Sequence, residues 1–192
     1  MSHQCCNLYV DLKSHIQRIN FIPMVREILR FPHPILKKPT KKVDVIDREI
    51  RELVRDMFET MYHSEGVGLA ANQIGVDLQV MVIDTTPRKE SPPLKLVLIN
   101  PEVIHSEGSL NYKEGCLSFP GLVVEVERNS KIQFKALDLE GEERTYELEG
   151  FPAIVFQHEM DHLMGITFLD RIKGLKKRLA LERYAKLQKQ RV

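Results

Sequence analysis

The chain has 192 residues, enough for one ordinary domain, and 43% of them are hydrophobic, so a core can form without disulfide or zinc staples. A net charge of +1 with 29% charged residues gives no bulk polycation for nucleic acid, and no apolar run approaches the ~20 residues of a membrane helix, so neither DNA nor a membrane is an expected partner. The cysteines are Cys5, Cys6 and Cys116, an odd count with two adjacent, which implies no disulfide framework and points to a reducing cytoplasm.

Residues 1–23 lack periodicity and a continuous apolar stretch, which argues against a secretory signal. Lys13 and Arg18 are their only Lys or Arg and Asp11 is present, so a transit peptide is disfavoured and an extension before one domain at 24–192 is expected. Three prolines in 31–40 predict an extended segment. Ile50, Leu53, Val54, Met57, Phe58 and Met61 then form one apolar stripe at helical spacing, with Asp44 or Asp47 as cap and Gly66 just past the end.

From about 79 to 149 the period changes. Gln79–Asp84, Lys95–Asn100, Leu122–Glu127, Lys131–Asp138 and Arg144–Glu149 predict short strands, the last two joined by a turn at 139–142. A second helix is expected from Pro152 to Gly165, and a third from about 172. Strands grouped between helices, instead of alternating with them, predict an α+β fold.

The chemistry concentrates at His158-Glu159-Met160-Asp161-His162. Histidines four apart lie one turn apart on a helix and can reach one cation, while Glu159 is placed to exchange protons with a water nucleophile. A solvated helix carrying two histidines by chance is the plain alternative. Against it, Phe151, Ile154, Val155, His158 and His162 share one helical face, and buried imidazoles without partners cost about 1–3 kcal/mol each. A catalytic site needs a third ligand, and Cys116 in Glu114-Gly115-Cys116-Leu117-Ser118 is the favoured one, although a lone cysteine is ordinarily a small buried hydrophobe. Gly66-Val67-Gly68-Leu69-Ala70-Ala71-Asn72-Gln73-Ile74-Gly75 lacks the spacing and the Lys-Ser/Thr ending of a phosphate loop. Its small residues suit either a tight turn or a polypeptide running against the backbone.

Taken together and in order, Gly66–Gln73, Glu114–Ser118 and Gln157–His162 resemble the three motifs of peptide deformylases, G-φ-G-φ-A-A-x-Q (φ apolar), E-G-C-L-S and Q-H-E-x-D-H. Arg26-Glu27-Ile28-Leu29 and Pro34-Ile35-Leu36 are also similar, and the likeness covers roughly residues 24–190. The resemblance implies antiparallel sheets packed around a central metal-binding helix, with one helix before and one after. It implies hydrolysis of the formyl group from N-formylmethionyl nascent peptides. Cys116, His158 and His162 would hold one divalent metal, Fe²⁺ in the cell with Zn²⁺, Ni²⁺ or Co²⁺ able to substitute. Glu159 would be the general acid/base, and Gln73 and the Leu117 N–H would bind the formyl oxygen as charge develops there.

The resemblance further implies that Gly68 and Glu114 line the substrate groove. Val67, Tyr112, Leu117, Phe151, Ile154 and Val155 would build a methionine pocket, with Asp161 and Arg128 supporting the ligands from behind. Asn72 stands where the family often has proline or threonine, and Val123 where some members carry an arginine that contacts substrate. The helical, basic C-terminus resembles the common bacterial class.

Residues 171–192 hold nine Lys or Arg against Glu182 alone. They are expected either to contact ribosomal RNA, as the resemblance implies, or to form a solvated helix packing Leu175, Leu179 and Leu187 on the domain. Two rival readings follow from other features. In a zinc protease, Glu182, 20 residues past His162, would be the third ligand. A purely structural metal site would need a fourth ligand that the spacing does not offer.

Overall fold

The computed structural model describes residues 23–89 and 93–190; the expected extension at 1–23, apart from Pro23, lies outside the described residues, as do Cys5 and Cys6. Helix α1 spans Arg48–His63, and its Asp47 cap accepts the Ile50 N–H at 3.1 Å, which decides between the two expected aspartates. Strands follow at Gly68–Ala70 (β1), Val80–Asp84 (β2), Lys95–Glu107 (β3), Leu110–Gly115 (β4), Val123–Arg128 (β5), Lys131–Leu137 (β6) and Glu143–Glu149 (β7). Helix α2 spans Phe151–Leu163 and α3 spans Gly174–Lys189. A five-stranded antiparallel sheet runs β1-β2-β3-β6-β7, and among the described residues β4 pairs only with β5.

Strand alternation explains how two helices share the large sheet. In β2, Val80 and Val82 face the cluster built on α1, while Met81 and Ile83 face the cluster built on α2. Leu98 and Ile99 of β3 divide the same way. Both faces of this part of the sheet are therefore covered, and α2 is buried at ten of its thirteen residues. A third cluster joins Val124 and Val126 of the small sheet, with Leu122 just before it, to Phe168, Ile172, Ala180 and Tyr184.

Three expectations change. The strand expected at Lys95–Asn100 continues to Glu107, because register shifts on either side of Glu102 accommodate Pro101 and the left-handed Asn100 (φ 51°). Asn100 is fixed by reciprocal hydrogen bonds with Val43, both 2.8 Å. Within 31–40 the chain forms a short 3-10 turn at Pro34–Lys37 that buries Leu36. In α3 the residues that pack are Ala180 and Tyr184, with Leu187 partly buried, while Leu175 (60% exposed) and Leu179 (52%) face solvent. The Tyr184 hydroxyl donates to the Phe31 carbonyl at 3.1 Å, which ties α3 to the N-terminal segment.

Phe134 of β6 stacks on Phe156 of α2 with centroids 3.8 Å apart, and both are fully buried. Phe134→Ala should lower unfolding free energy by about 3–5 kcal/mol in urea titrations. A loss below about 1 kcal/mol would mean α2 does not rest on this strand.

A candidate metal centre

Helix α2 starts at Gly150, whose φ of 63° suits glycine, and Pro152 occupies its first turn, where a missing N–H costs nothing. One helical turn separates His158 from His162, and their rings stand 5.1 Å apart at 72°. The segment after β4 delivers Cys116. One ligand atom each from Cys116, His158 and His162 lies within 4.8 Å of the others, and Cys116 Sγ is 3.2 Å from His162 Nε2. A thiolate and two imidazoles that converge this closely form a donor set that fits a divalent transition metal. Burial, reinforced by His158 and Arg128, pushes His162 well below the ordinary imidazole range, so its ring is neutral and free to ligate.

Glu159 points into the same space. Its Oε2 is buried without a hydrogen-bond partner among the described residues, which is costly unless a ligand completes it. Burial pushes its carboxyl up to about 7, from an ordinary 4.5. The carboxylate lies against β1 at Gly68, where a Cβ would come within 2.5 Å of Glu159 Oε1 and 2.9 Å of Val155. Only glycine fits there.

The turn after β1 orients Gln73. Its Oε1 accepts the Ala70 N–H at 2.8 Å, so its amide NH₂ points the other way, 3.3 Å from Ser118 Oγ and 3.7 Å from Cys116 Sγ. The Leu117 N–H makes no hydrogen bond among the described residues. Gly68, Gln73, Val67, Tyr112, Leu117, Phe151, Ile154, Val155, His158 and Glu159 all line one cleft of about 400 Å³. Tyr112 and Phe151 meet across it with centroids 5.6 Å apart.

Glu114 borders the cleft, and its carboxylate is fully engaged by neighbouring side chains. Its oxygens accept from Arg128 Nε (2.7 Å) and Nη2 (3.0 Å), and Oε2 lies 2.8 Å from His158 Nδ1. Its carboxylate is thus held by Arg128 and His158 at the border of the cleft where a substrate contact is expected of it. Arg128 Nη1 donates to Asp161 at 2.5 Å, and Asp161 also takes the Arg171 guanidinium. Burial alone would raise the Glu114 carboxyl, but Arg128 and His158 outweigh it and hold it at about 2.

Other residues stand apart from the expectations. Glu182 is on α3, exposed and 3.7 Å from Arg178, away from the ligand cluster, which removes the protease arrangement. Val123 borders the cleft with no charge to offer. Asn72 Nδ2 donates to the His162 carbonyl at 2.5 Å, and Gln157 grips both backbone groups of Asn129 at 3.0 and 2.8 Å. Ser118, Asn72 and Gln157 stand inside the quoted motifs, and their hydrogen bonds give them positions there that the motifs alone do not state. Nothing in the sequence neighbourhood of Arg171, at the start of the basic tail, marks its contact with Asp161.

The family described as polypeptide deformylase matches residues 25–178. The chain is 67% identical to the peptide deformylase of Aquifex aeolicus (strain VF5), over 88% of this chain and 99% of that protein. It is 45% identical to that of Acidobacterium capsulatum, over 86% and 97%. Among solved structures, a peptide deformylase from Legionella pneumophila superposes with a TM-score of 0.80 at 40% identity, covering 88% of this chain and 98% of the other. One from Ehrlichia chaffeensis gives 0.78 at 33%, covering 86% and 97%.

A carboxyl held below its ordinary value stabilises the fold above about pH 4.5, and that contribution is lost as pH falls toward 2. Glu114→Gln should therefore be less stable at pH 7, by about 3–5 kcal/mol for a broken buried pair. Its stability should also fall less steeply than wild type between pH 4.5 and 2, read by urea unfolding across pH. Parallel pH profiles for the two proteins would contradict this role.

Proposed function

Because the chain belongs to the peptide deformylase family and removes the N-formyl group from nascent polypeptides, we propose that Cys116, His158 and His162 hold its one divalent metal and that Glu159 moves the proton. The observation that carries this reading is the convergence of one sulfur and two ring nitrogens within 4.8 Å, beside a buried carboxylate near pKa 7. A divalent cation supplies Lewis acidity, making water ionise near neutral pH and polarising a carbonyl.

Glu159 takes the proton from water as the new C–O bond forms at the formyl carbon. The formyl oxygen then gains charge, and the Gln73 amide and the Leu117 N–H donate to it. Glu159 returns its proton to the methionine nitrogen as the C–N bond breaks, leaving formate and a free amine. A carboxyl near 7 is suited to both transfers. Val67, Tyr112, Leu117, Phe151, Ile154 and Val155 receive the methionine side chain, and Gly68 lets the peptide backbone approach. Arg128 and Asp161 hold Glu114, which orients His158. The native ion proposed is Fe²⁺, with Zn²⁺, Ni²⁺ or Co²⁺ substituting, and the setting proposed is the cytoplasm where formylated chains emerge.

We also propose that α3 contacts ribosomal RNA through Arg183, Lys186 and Lys189, which face solvent. Tyr184 and Ala180 anchor the opposite side of the helix, which leaves these side chains available to a partner.

Glu159→Gln should keep its metal, because Glu159 is not a ligand, and lose at least about 10²-fold in formate release from formyl-Met-Ala-Ser. Near wild-type turnover with metal bound would remove Glu159 from the mechanism. Cys116 should resist alkylation in loaded protein and react after chelation, with Cys5 and Cys6 reacting in both states. Equal reactivity of Cys116 in the two states would exclude it as a ligand. Reversing Arg183 and Lys186 to glutamate should abolish ribosome co-sedimentation at low salt, and undiminished co-sedimentation would dismiss the helix as the contact.

A further inference from the structure

The cleft carries three charged side chains that the proposed chemistry leaves unused: Glu65, Arg88 and Lys113. All three are exposed, and none makes a side-chain ion pair among the described residues. Their positions follow from the edge of the large sheet. β1 is an edge strand, and Glu159 lies against it at Gly68. From Gly68 the backbone leads back through Val67 and Gly66 to Glu65, which sits at φ 56° where the chain turns out of α1. The Asp84 N–H donates to the Val67 carbonyl at 2.9 Å, so the end of β2 runs to the same mouth. There a turn closed by the Arg88 N–H on the Thr85 carbonyl (2.9 Å) presents Arg88. Lys113 stands across the cleft on β4.

An extended peptide advances about 3.3 Å per residue, so a chain with its reacting end at Gly68 and running along the backbone toward Glu65 brings its third or fourth residue to the part of the cleft that Glu65 and Arg88 line. Two cations against one carboxylate leave this rim net positive. We infer that Arg88 and Lys113 select formyl-Met chains that carry acidic side chains at the third and fourth positions. This rests on the deformylase reading of the cleft and adds a preference to it. Each exposed pair contributes little, roughly 1.5- to 5-fold in rate, and is screened by salt.

The test compares kcat/KM for three peptide amides, formyl-Met-Ala-Asp-Asp, formyl-Met-Ala-Ser-Ser and formyl-Met-Ala-Lys-Lys, whose amidated ends carry no carboxylate of their own. On the metal-loaded wild-type protein at low ionic strength the order should be acidic, neutral, basic, with about five-fold or more between the extremes. That spread should shrink in 0.5 M salt, and the Arg88→Glu/Lys113→Glu double variant should invert the order. Equal kcat/KM for all three peptides on the wild-type protein would overturn the inference, as would an acidic preference that survives the double variant. Formate release from none of the three would overturn it together with its premise, whereas turnover of the neutral peptide without charge preference would overturn the inference alone.

Discussion

A guanidinium taken out of water has to be met by carboxylates, and at Arg128 that requirement ties together three separate pieces of chain. Arg128 comes from β5, Glu114 from β4 and Asp161 from α2, and all three are nearly inaccessible to solvent. Burial works against the charge on Arg128, but Glu114 and Asp161 outweigh it, so the guanidinium stays ionised. Each group is unaffordable in the interior without the others. The small sheet, which has no strand partner in the large one, is thereby fixed to the helix that carries both histidines.

From that fastening the site follows in short steps. Glu114 Oε2, which also accepts from Arg128 Nη2, meets His158 Nδ1 and so fixes the imidazole beside the Cys116–His162 cluster. Two residues past Glu114, just beyond β4, the chain arrives at Cys116, so the same stretch of chain holds His158 and delivers the sulfur of the proposed ligand set. On the opposite side, β1 brings Gly68 against Glu159, and the following turn aims Gln73 at Cys116. Asn72 then binds the last turn of α2 from this side. The proposed catalytic groups are thus held by hydrogen bonds to backbone and to buried charge, and the cleft between β1 and β4 is left for an extended chain.

The parts of this arrangement that were legible in the sequence are those with a local period or a local motif. The stripe on α1 and the alternation in β5 and β6 read directly, as does the four-residue spacing that puts His158 and His162 one turn apart on a helix. Position in three ordered motifs, more than chemistry, singled out Cys116 and Gln73. β1 is not legible because three small residues carry no alternation, nor is β4, because Leu-Asn-Tyr-Lys-Glu-Gly is mostly exposed and polar. The β3 extension lay behind a proline that normally ends a central strand. The buried pairing of Glu114 is not legible in the sequence, because its partners, Arg128 and His158, lie 14 and 44 residues away and only the folded chain brings them to it. The same distance problem hid the link from Arg171 to Asp161.

The most direct test of the ligand assignment is X-ray absorption on protein loaded with Zn²⁺. Coordination by Cys116, His158 and His162 predicts one sulfur at about 2.3 Å and two imidazole nitrogens at about 2.0–2.1 Å, with a light atom completing the shell. The sulfur should vanish in Cys116→Ser. A shell of nitrogen and oxygen alone in the wild-type protein, or a sulfur that persists in that variant, would contradict the assignment and with it the reading of the cleft as a metal-dependent deformylase site.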